Sequence, residues 1–224
     1  MPATRSKKHS NPPVQGPGAM DDPQWQRDVM TTVRLQRAKL PPRFIRKSLD
    51  NFNARDKTRS RLVHSARAYV SSFNFEKDYP KGLLMIGQPG CGKSHLAVAI
   101  LRSVIEKGYS GLYYNSPDLL RDIRATFNKE SEITEDDLLE WVTTTDLLVF
   151  DDVGAENSTN FVTDRLYLII NERYEACKPV IITTNLELPE LENRVGNRIV
   201  SRVLEMCEHF GSFPDQDWRR RNMR

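Results

Sequence analysis

The feature that most constrains this chain is a glycine-rich stretch, residues 87–94, directly after the apolar run 83–86. It fits the pattern G-x-x-x-x-G-K-[ST] at every defined position. Glycine adopts backbone dihedral angles that a side chain forbids, so successive N–H groups can turn toward one anion. The pattern predicts a phosphate-binding loop, with Lys93 on the β- and γ-phosphates of a nucleotide and the Ser94 hydroxyl on Mg²⁺. The loop residues are Gly87, Gln88, Pro89, Gly90, Cys91, Gly92, Lys93 and Ser94.

The segment after the loop supports this interpretation. Apolar residues recur at helical spacing over residues 94–107, which predicts a helix whose positive N-terminal end faces the phosphates. Strand, loop and helix therefore come in the order that a nucleotide site requires. An ordinary glycine-rich turn between a strand and a helix would leave Lys93 and Ser94 unexplained.

Residues 146–150, Asp146 followed by four apolar residues, predict a buried strand that runs into two aspartates. Ligands of an open α/β sheet bind outside the carboxyl ends of its strands, so Asp151 and Asp152 are expected beside the phosphate loop. Mg²⁺ prefers oxygen ligands, which makes Asp151 its candidate partner. Asp152 is the candidate for polarising the attacking water. The alternative for Asp152 is a helix N-cap or a solvated loop carboxylate.

A further predicted strand, residues 180–184, ends in Asn185. A polar side chain at this strand end can hold the lytic water or contact the γ-phosphate. Farther on, Arg198 and Arg202 lie one helical turn apart on a segment with helical apolar spacing. Spacing alone favours a solvated or carboxylate-paired role for these two arginines.

Together these segments resemble the AAA+ ATPases of the DnaC/DnaI helicase-loader and IstB transposition-helper group. The resemblance covers about residues 40–210 and rests on the phosphate loop and on four further stretches, residues 151–156, 170–174, 183–185 and 198–202. It implies a P-loop NTPase (AAA+) fold, an α/β three-layer sandwich with a parallel sheet, and ATP hydrolysis with Mg²⁺.

The resemblance also implies roles for individual residues. Asn185 takes the position of the γ-phosphate sensor. Arg198 takes that of an arginine finger on ATP bound by the neighbouring subunit, with Arg202 as second choice. A finger supplied in trans makes hydrolysis depend on assembly, so a homo-oligomer is expected with ATP. Many relatives carry Glu where this chain has Asp152.

The chain divides into four segments. Residues 1–20 hold three basic and no acidic residues among prolines and glycines, which predicts a disordered basic tail. Residues 21–40 predict a helix beginning at Asp22 and a linker, a candidate partner-binding segment. Residues 41–212 form the expected ATPase domain, and 213–224 a basic C-terminal tail. The short stretch after Arg202 predicts that a full C-terminal helical lid is lacking.

The region between the second predicted strand, residues 111–114, and Asp151 contains the candidate DNA contacts. A predicted helix beginning at residues 116–118 carries Arg121 and Arg124 outward, with Lys129 behind them. Its apolar face is expected to hold Leu119, Leu120, Ile123 and Phe127. In the resembled group this element lines the ring and touches single-stranded DNA. No RNP motif, helix-turn-helix or zinc finger is evident, so the expected contact is largely independent of DNA sequence.

Composition excludes several classes of protein. The three cysteines are far apart and odd in number, which indicates a reducing compartment and argues against a zinc module. No apolar run reaches membrane-spanning length and no signal peptide is visible, so a cytoplasmic protein is expected. No substrate-binding lid is apparent, which argues against a metabolite kinase. The sequence lacks an Asn-Lys-x-Asp motif, so GTP as the nucleotide is unsupported.

The resemblance implies an ATP-dependent assembly factor that oligomerises with ATP and binds single-stranded DNA to load a replicative DNA helicase. One alternative is an IstB-like ATPase that assembles on duplex DNA and regulates a transposase; a neighbouring helicase or transposase gene would separate the two. Another is an ATP-locked binding module with negligible turnover, in which Asp152→Asn would leave activity unchanged.

Overall fold

The computed structural model describes residues 22–76, 78–128, 130–156 and 159–214. The predicted tail over residues 1–20, the candidate contact Lys129 and most of the predicted C-terminal tail lie outside the described residues.

A five-stranded sheet forms the centre of the fold, in the order β2-β3-β4-β1-β5. Each neighbouring pair is parallel. The register pairs Asn115 with Asp151 and Ile86 with Thr184, so four strands end along one edge of the sheet. The predicted parallel α/β sheet is therefore confirmed, and the structure adds the strand order. The strands are β1 (Gly82–Ile86), β2 (Gly111–Asn115), β3 (Leu147–Asp151), β4 (Val180–Thr184) and β5 (Cys207–His209).

Helices cover both faces of the sheet. Successive strand residues point to opposite faces, so Leu147 and Val149 join one hydrophobic cluster while Leu148 and Phe150 join the other. Since both faces are buried, the strands read as continuous apolar runs. The helices are α1 (Pro23–Arg37), α2 (Lys57–Ser72), α3 (Lys93–Glu106), α4 (Ser116–Ala125), α5 (Glu135–Thr144), α6 (Asn160–Glu175), α7 (Leu188–Val195) and α8 (Asn197–Met206), with a 3-10 turn at Pro42–Phe44.

The phosphate loop connects β1 to α3 in a conformation that requires glycine. Gly92 has φ +113°. A Cβ atom built on Gly92 would lie 3.0 Å from the Phe52 ring. A larger residue would therefore strain the backbone and push Phe52 away.

The predicted start of α1 is confirmed, because the Asp22 side chain accepts a hydrogen bond from Gln24 N and Pro23 opens the first turn. The helix buries none of its residues, and Trp25, Val29 and Met30 are exposed. The start of α4 also agrees with the sequence. Phe127, expected on the apolar face of that helix, lies beyond its end and is 56% exposed. The prediction for Phe127 was wrong because the chain turns after Ala125.

None of the described helices combines the length and the hydropathy that a membrane-spanning segment needs.

Candidate nucleotide-binding site

An open cleft of about 890 Å³ lies at the edge where the central strands end. This volume is typical of sites that hold small molecules. The cleft brings together the loop residues from Pro89 to Ser94 with Asp151, Asp152 and Asn185. Residues that are far apart in the sequence therefore line one site, as the strand-end argument predicted.

Lys93 is buried within the phosphate loop. Its Nζ atom donates hydrogen bonds to the carbonyl oxygens of Gly87 at 2.6 Å and Gln88 at 3.1 Å. The backbone N–H of Gly87 donates to the carbonyl of Thr184 at 3.2 Å, which ties the start of the loop to β4. The lysine charge is thus held inside the loop by neutral acceptors. Lys93 forms no ion pair with a described residue, so an anion bound in the cleft would be its charged partner.

Asp151 is buried and receives two hydroxyl hydrogen bonds. The Tyr113 hydroxyl donates to Oδ2 at 2.7 Å, and the Thr183 hydroxyl donates to Oδ1 at 2.5 Å. Burial, and then the Asp151 carboxylate, raise the pKa of the Tyr113 phenol, which therefore stays a hydrogen-bond donor. Each oxygen of the buried carboxylate therefore has a hydrogen-bond donor.

The oxygen atoms of Asp151 and Ser94 fit a magnesium ion. Each carboxylate oxygen of Asp151 accepts one hydrogen bond and keeps capacity for another contact. The Ser94 hydroxyl forms no hydrogen bond with any residue that the structure describes. Carboxylate and hydroxyl oxygens are the hard ligands that Mg²⁺ prefers.

Asp152 lies in the turn after β3 and is half-buried. Its φ of +60° is in the left-handed region, which is uncommon for a residue with a side chain. Its backbone N–H donates to the Thr183 hydroxyl at 3.0 Å. Asp152 is not a helix N-cap, because α6 starts later and is capped by Thr159. Asn185 follows β4 and is exposed to the cleft.

The two arginines of α8 differ. The Arg202 guanidinium donates to Asn171 Oδ1 at 2.7 Å and to the Tyr167 hydroxyl at 3.0 Å, and it stacks over the Tyr167 ring. Arg198 is exposed, and within the described part of the chain its guanidinium has no hydrogen bond, ion pair or ring contact. Neither arginine lines the cleft of its own chain.

The candidate DNA contacts also differ from one another. Arg121 is exposed but forms ion pairs with Asp118 at 2.7 Å and Asp122 at 3.4 Å. Arg124 lies over the Phe161 ring, with its guanidinium carbon 5.2 Å from the centroid. Both residues are on α4, and neither lines the nucleotide cleft.

Sequence reasoning missed one wall of the cleft, which comes from the segment before β1. Phe52 packs against Gly92 and makes an edge contact with His95, with ring centroids 5.1 Å apart. Burial lowers the pKa of the His95 imidazole. The available signal was the run of six basic and no acidic residues over 34–47, but only its interruption at Pro41 and Pro42 was interpreted, as a linker. The additional lining residues are Arg43, Phe44, Lys47, Asn51, Phe52, Asn53, Arg55, Arg59 and His95.

A family model described as IstB-like ATP binding protein matches residues 21–211. The chain belongs to this IstB-like ATP-binding family. The match spans every strand and helix given above, and it confirms the family that the motifs indicated.

The proteins that are similar to this IstB-like chain include helicase loaders. The replicative helicase loader DnaC of Buchnera aphidicola subsp. Schizaphis graminum (strain Sg) is 27% identical over 169 residues, which cover 75% of this chain and 68% of that protein. The replicative helicase loader DnaI of Bacillus subtilis (strain 168) is 26% identical over 175 residues, 78% of this chain but 53% of DnaI. The chain thus spans about half the length of DnaI.

A solved structure gives the same result for the fold. The crystal structure of the DnaC helicase loader superposes with a TM-score of 0.68 at 31% identity, covering 76% of this chain and 98% of that chain. The predicted P-loop AAA+ fold class is confirmed.

Proposed function

We propose that this IstB-like protein is an ATP-dependent assembly factor that loads a replicative DNA helicase onto single-stranded DNA. The observation that carries the proposal is the meeting of Lys93, Ser94, Asp151, Asp152 and Asn185 in one cleft of an ATP-binding family member. The helicase as partner is inferred from the similarity to the loaders DnaC and DnaI.

The cleft residues support ATP hydrolysis. Lys93 and the N-terminal end of α3 bind the phosphates, and Ser94 and Asp151 would hold Mg²⁺. When bound there, the ion would supply positive charge that offsets the charge of the phosphates. Asp152 orients the attacking water and accepts its proton, while Asn185 contacts the water or the γ-phosphate.

Arg198 supports hydrolysis in trans. Its charge lies outside its own cleft and has no partner among the described residues, so it is available to a neighbouring subunit. In such an arrangement ATP binding favours a homo-oligomer, and each finger stabilises charge on the transferring phosphoryl group. Arg202 plays a different role. Its hydrogen bonds to Asn171 and Tyr167 connect α8 to α6. It also donates to the Arg198 carbonyl at 3.2 Å, which positions the finger residue.

The surface around Phe161 supports binding of single-stranded DNA. We define the aromatic–arginine cluster as Arg124, Phe127, Phe161 and Arg165. The Phe127 and Phe161 rings meet edge to face with centroids 6.0 Å apart, and both arginines lie over Phe161. Exposed aromatic rings stack on bases and arginines contact phosphates, which is how single strands are bound without sequence preference.

Within this cluster Arg124 is the stronger candidate for a phosphate contact. Arg165 forms an ion pair with Glu135 at 2.5 Å, and Arg121 beside the cluster is neutralised by two carboxylates. Arg124 has no ion pair with a described residue. The exposed Phe127 adds a base-stacking residue that the sequence did not single out as such.

The first helix is the proposed contact for a protein partner. Trp25, Val29 and Met30 expose apolar surface on α1. The linker that follows is fixed to the ATPase domain, because Tyr113 N donates to the Ala38 carbonyl at 2.9 Å. Ala38 lies before the boundary proposed at residue 40, so the linker packs on the sheet of the ATPase domain.

A second candidate follows from the IstB-like family match. The protein would then assemble on duplex DNA and regulate a transposase.

Helicase loading tests the proposal directly. The protein is mixed with the replicative helicase of its host, ATP and circular single-stranded DNA, and helicase retained on the DNA is measured. Retention is expected to rise with the wild-type protein and not with Lys93→Ala. No rise in retention, together with ATP-dependent binding to duplex DNA and to a transposase, would support the second candidate instead.

A further inference from the structure

The end of β4 joins three parts of the nucleotide site through two buried threonines, Thr183 and Thr184. The Thr184 carbonyl accepts from the N–H of Gly87, at the start of the phosphate loop. The Thr184 hydroxyl donates to the Val153 carbonyl at 2.7 Å, just beyond the aspartate pair. The loop, the aspartates and the strand that leads to Asn185 are thus connected at one place.

The Thr183 hydroxyl makes the central contact, because it bonds to both aspartates. It donates its single proton to Asp151 Oδ1 at 2.5 Å and accepts the N–H of Asp152 at 3.0 Å. A hydroxyl has one proton and two lone pairs, and a carboxylate can only accept, so this direction is fixed. One atom of Thr183 therefore sets both the orientation of one carboxylate and the backbone of the next residue.

The backbone of Asp152 needs such a support. Its left-handed conformation, φ +60°, is disfavoured for a residue with a side chain. Thr183 holds the turn twice, by the hydroxyl contact with Asp152 and by its carbonyl, which accepts the N–H of Val153 at 2.9 Å.

Tyr113 holds Asp151 from the other side. The strands β2 and β4 flank β3 in the sheet, so Tyr113 and Thr183 reach the carboxylate from opposite neighbours. Two donors on different oxygens fix the plane of the carboxylate, as the groups that surround metal ligands commonly do.

We propose that Thr183 is a positioning residue that orients Asp151 toward Mg²⁺ and holds Asp152 beside it, with Tyr113 as the second support of Asp151. The proposal rests on the Mg²⁺–ATP site of the proposed function. It differs from a purely structural role, in which the two hydroxyls satisfy a buried carboxylate and affect stability alone.

The test compares metal affinity with nucleotide affinity in Thr183→Val, which removes the hydroxyl at nearly constant shape, and Thr183→Ser, which keeps it. Mn²⁺ is the probe, titrated by electron paramagnetic resonance with a non-hydrolysable ATP analogue present. Nucleotide affinity is measured separately in EDTA. The matched control is Thr143→Val, since Thr143 is also buried and its hydroxyl donates to the Leu139 carbonyl in α5.

Thr183→Val is expected to weaken Mn²⁺ binding about tenfold or more, the usual effect of removing a group that orients a metal ligand. Thr183→Ser should restore most of that affinity, and nucleotide binding in EDTA and the Thr143→Val control should stay at the wild-type level. Wild-type Mn²⁺ affinity in Thr183→Val would overturn the proposal, as would an equal loss of metal and metal-free nucleotide binding.

Tyr113→Phe decides the question if Thr183→Val does not fold. It should weaken Mn²⁺ binding without changing metal-free nucleotide binding, and an unchanged Mn²⁺ affinity would count against the positioning role. A wild-type protein that binds Mn²⁺ with the analogue but neither hydrolyses ATP nor loads a helicase would refute the proposed function while leaving this comparison decisive.

Discussion

The nucleotide cleft and the outer face of α8 differ in how far a single chain completes them. In the cleft, Lys93 and Asp151 are buried and each has two polar partners within 3.1 Å. On α8, Arg198 is exposed and has no partner among the described residues. In the proposed function, one chain supplies the phosphate and metal ligands by itself. The positive charge that hydrolysis still needs would then come from the Arg198 of a second copy.

The largest effect is expected from Lys93→Ala. This change removes the buried ammonium that meets the phosphates, so ATP affinity should fall at least about a hundredfold, the range for losing one partner of a buried charge pair. Calorimetric titration with ATP measures it, with the exposed Lys81→Ala as control. Retained ATP affinity in Lys93→Ala would mean that the positive charge of Lys93 does not contribute to ATP binding.

Arg198→Ala should leave ATP affinity unchanged and lower hydrolysis by about a thousandfold, as for other arginine fingers. Ground-state contacts stay within one chain, while transition-state charge loses its partner. Steady-state phosphate release measures the effect, and Arg61→Ala, an exposed arginine on α2, is the control. Weakened ATP binding in Arg198→Ala would contradict the proposed difference between the nucleotide cleft and the outer face of α8.

Asp152→Asn should keep ATP binding and lower hydrolysis about a hundredfold, because the amide cannot take the proton of the attacking water. Phosphate release is compared with that of Asp164→Asn, an exposed carboxylate on α6. Unchanged turnover in Asp152→Asn would favour a binding module in which ATP only locks a conformation.

The smallest effects concern DNA. Phe127→Ala should weaken single-strand binding about tenfold, the range for loss of one stacked base.

Arg124→Ala should lower the slope of log affinity against log salt by about 0.7, the value for one phosphate contact on a single strand. Arg121→Ala is the matched comparison and should change the slope less, because two carboxylates already pair with it. Equal slopes for the two arginine variants would contradict this ranking.

The sequence was sufficient where one short segment determines the structure. The run before Asn185 is β4 as predicted, Val180–Thr184, since a buried parallel strand is apolar throughout. The phosphate loop and its helix follow from glycine and dipole chemistry in the same way.

Sequence reasoning failed where contacts depend on strand order or on distant packing. Tyr113 and Thr183 meet Asp151 because β2 and β4 flank β3, an order that the sequence left open. The wall carrying Phe52 is set by packing against Gly92, forty positions later, and no local pattern encodes that contact. Phe127 was misplaced because the helical spacing continues past the true end of α4.

If the Arg198 of one chain completes the cleft of another, two inactive variants should restore each other's activity when they are mixed. Arg198→Ala keeps an intact cleft, and Lys93→Ala keeps an intact Arg198. Phosphate release is measured for each alone and for mixtures at several ratios, with co-assembly checked by sizing. The prediction is that mixtures regain hydrolysis, because the finger of one variant meets the loop of the other. No recovery in a mixture that co-assembles would contradict the claim and return Arg198 to a solvated helix face.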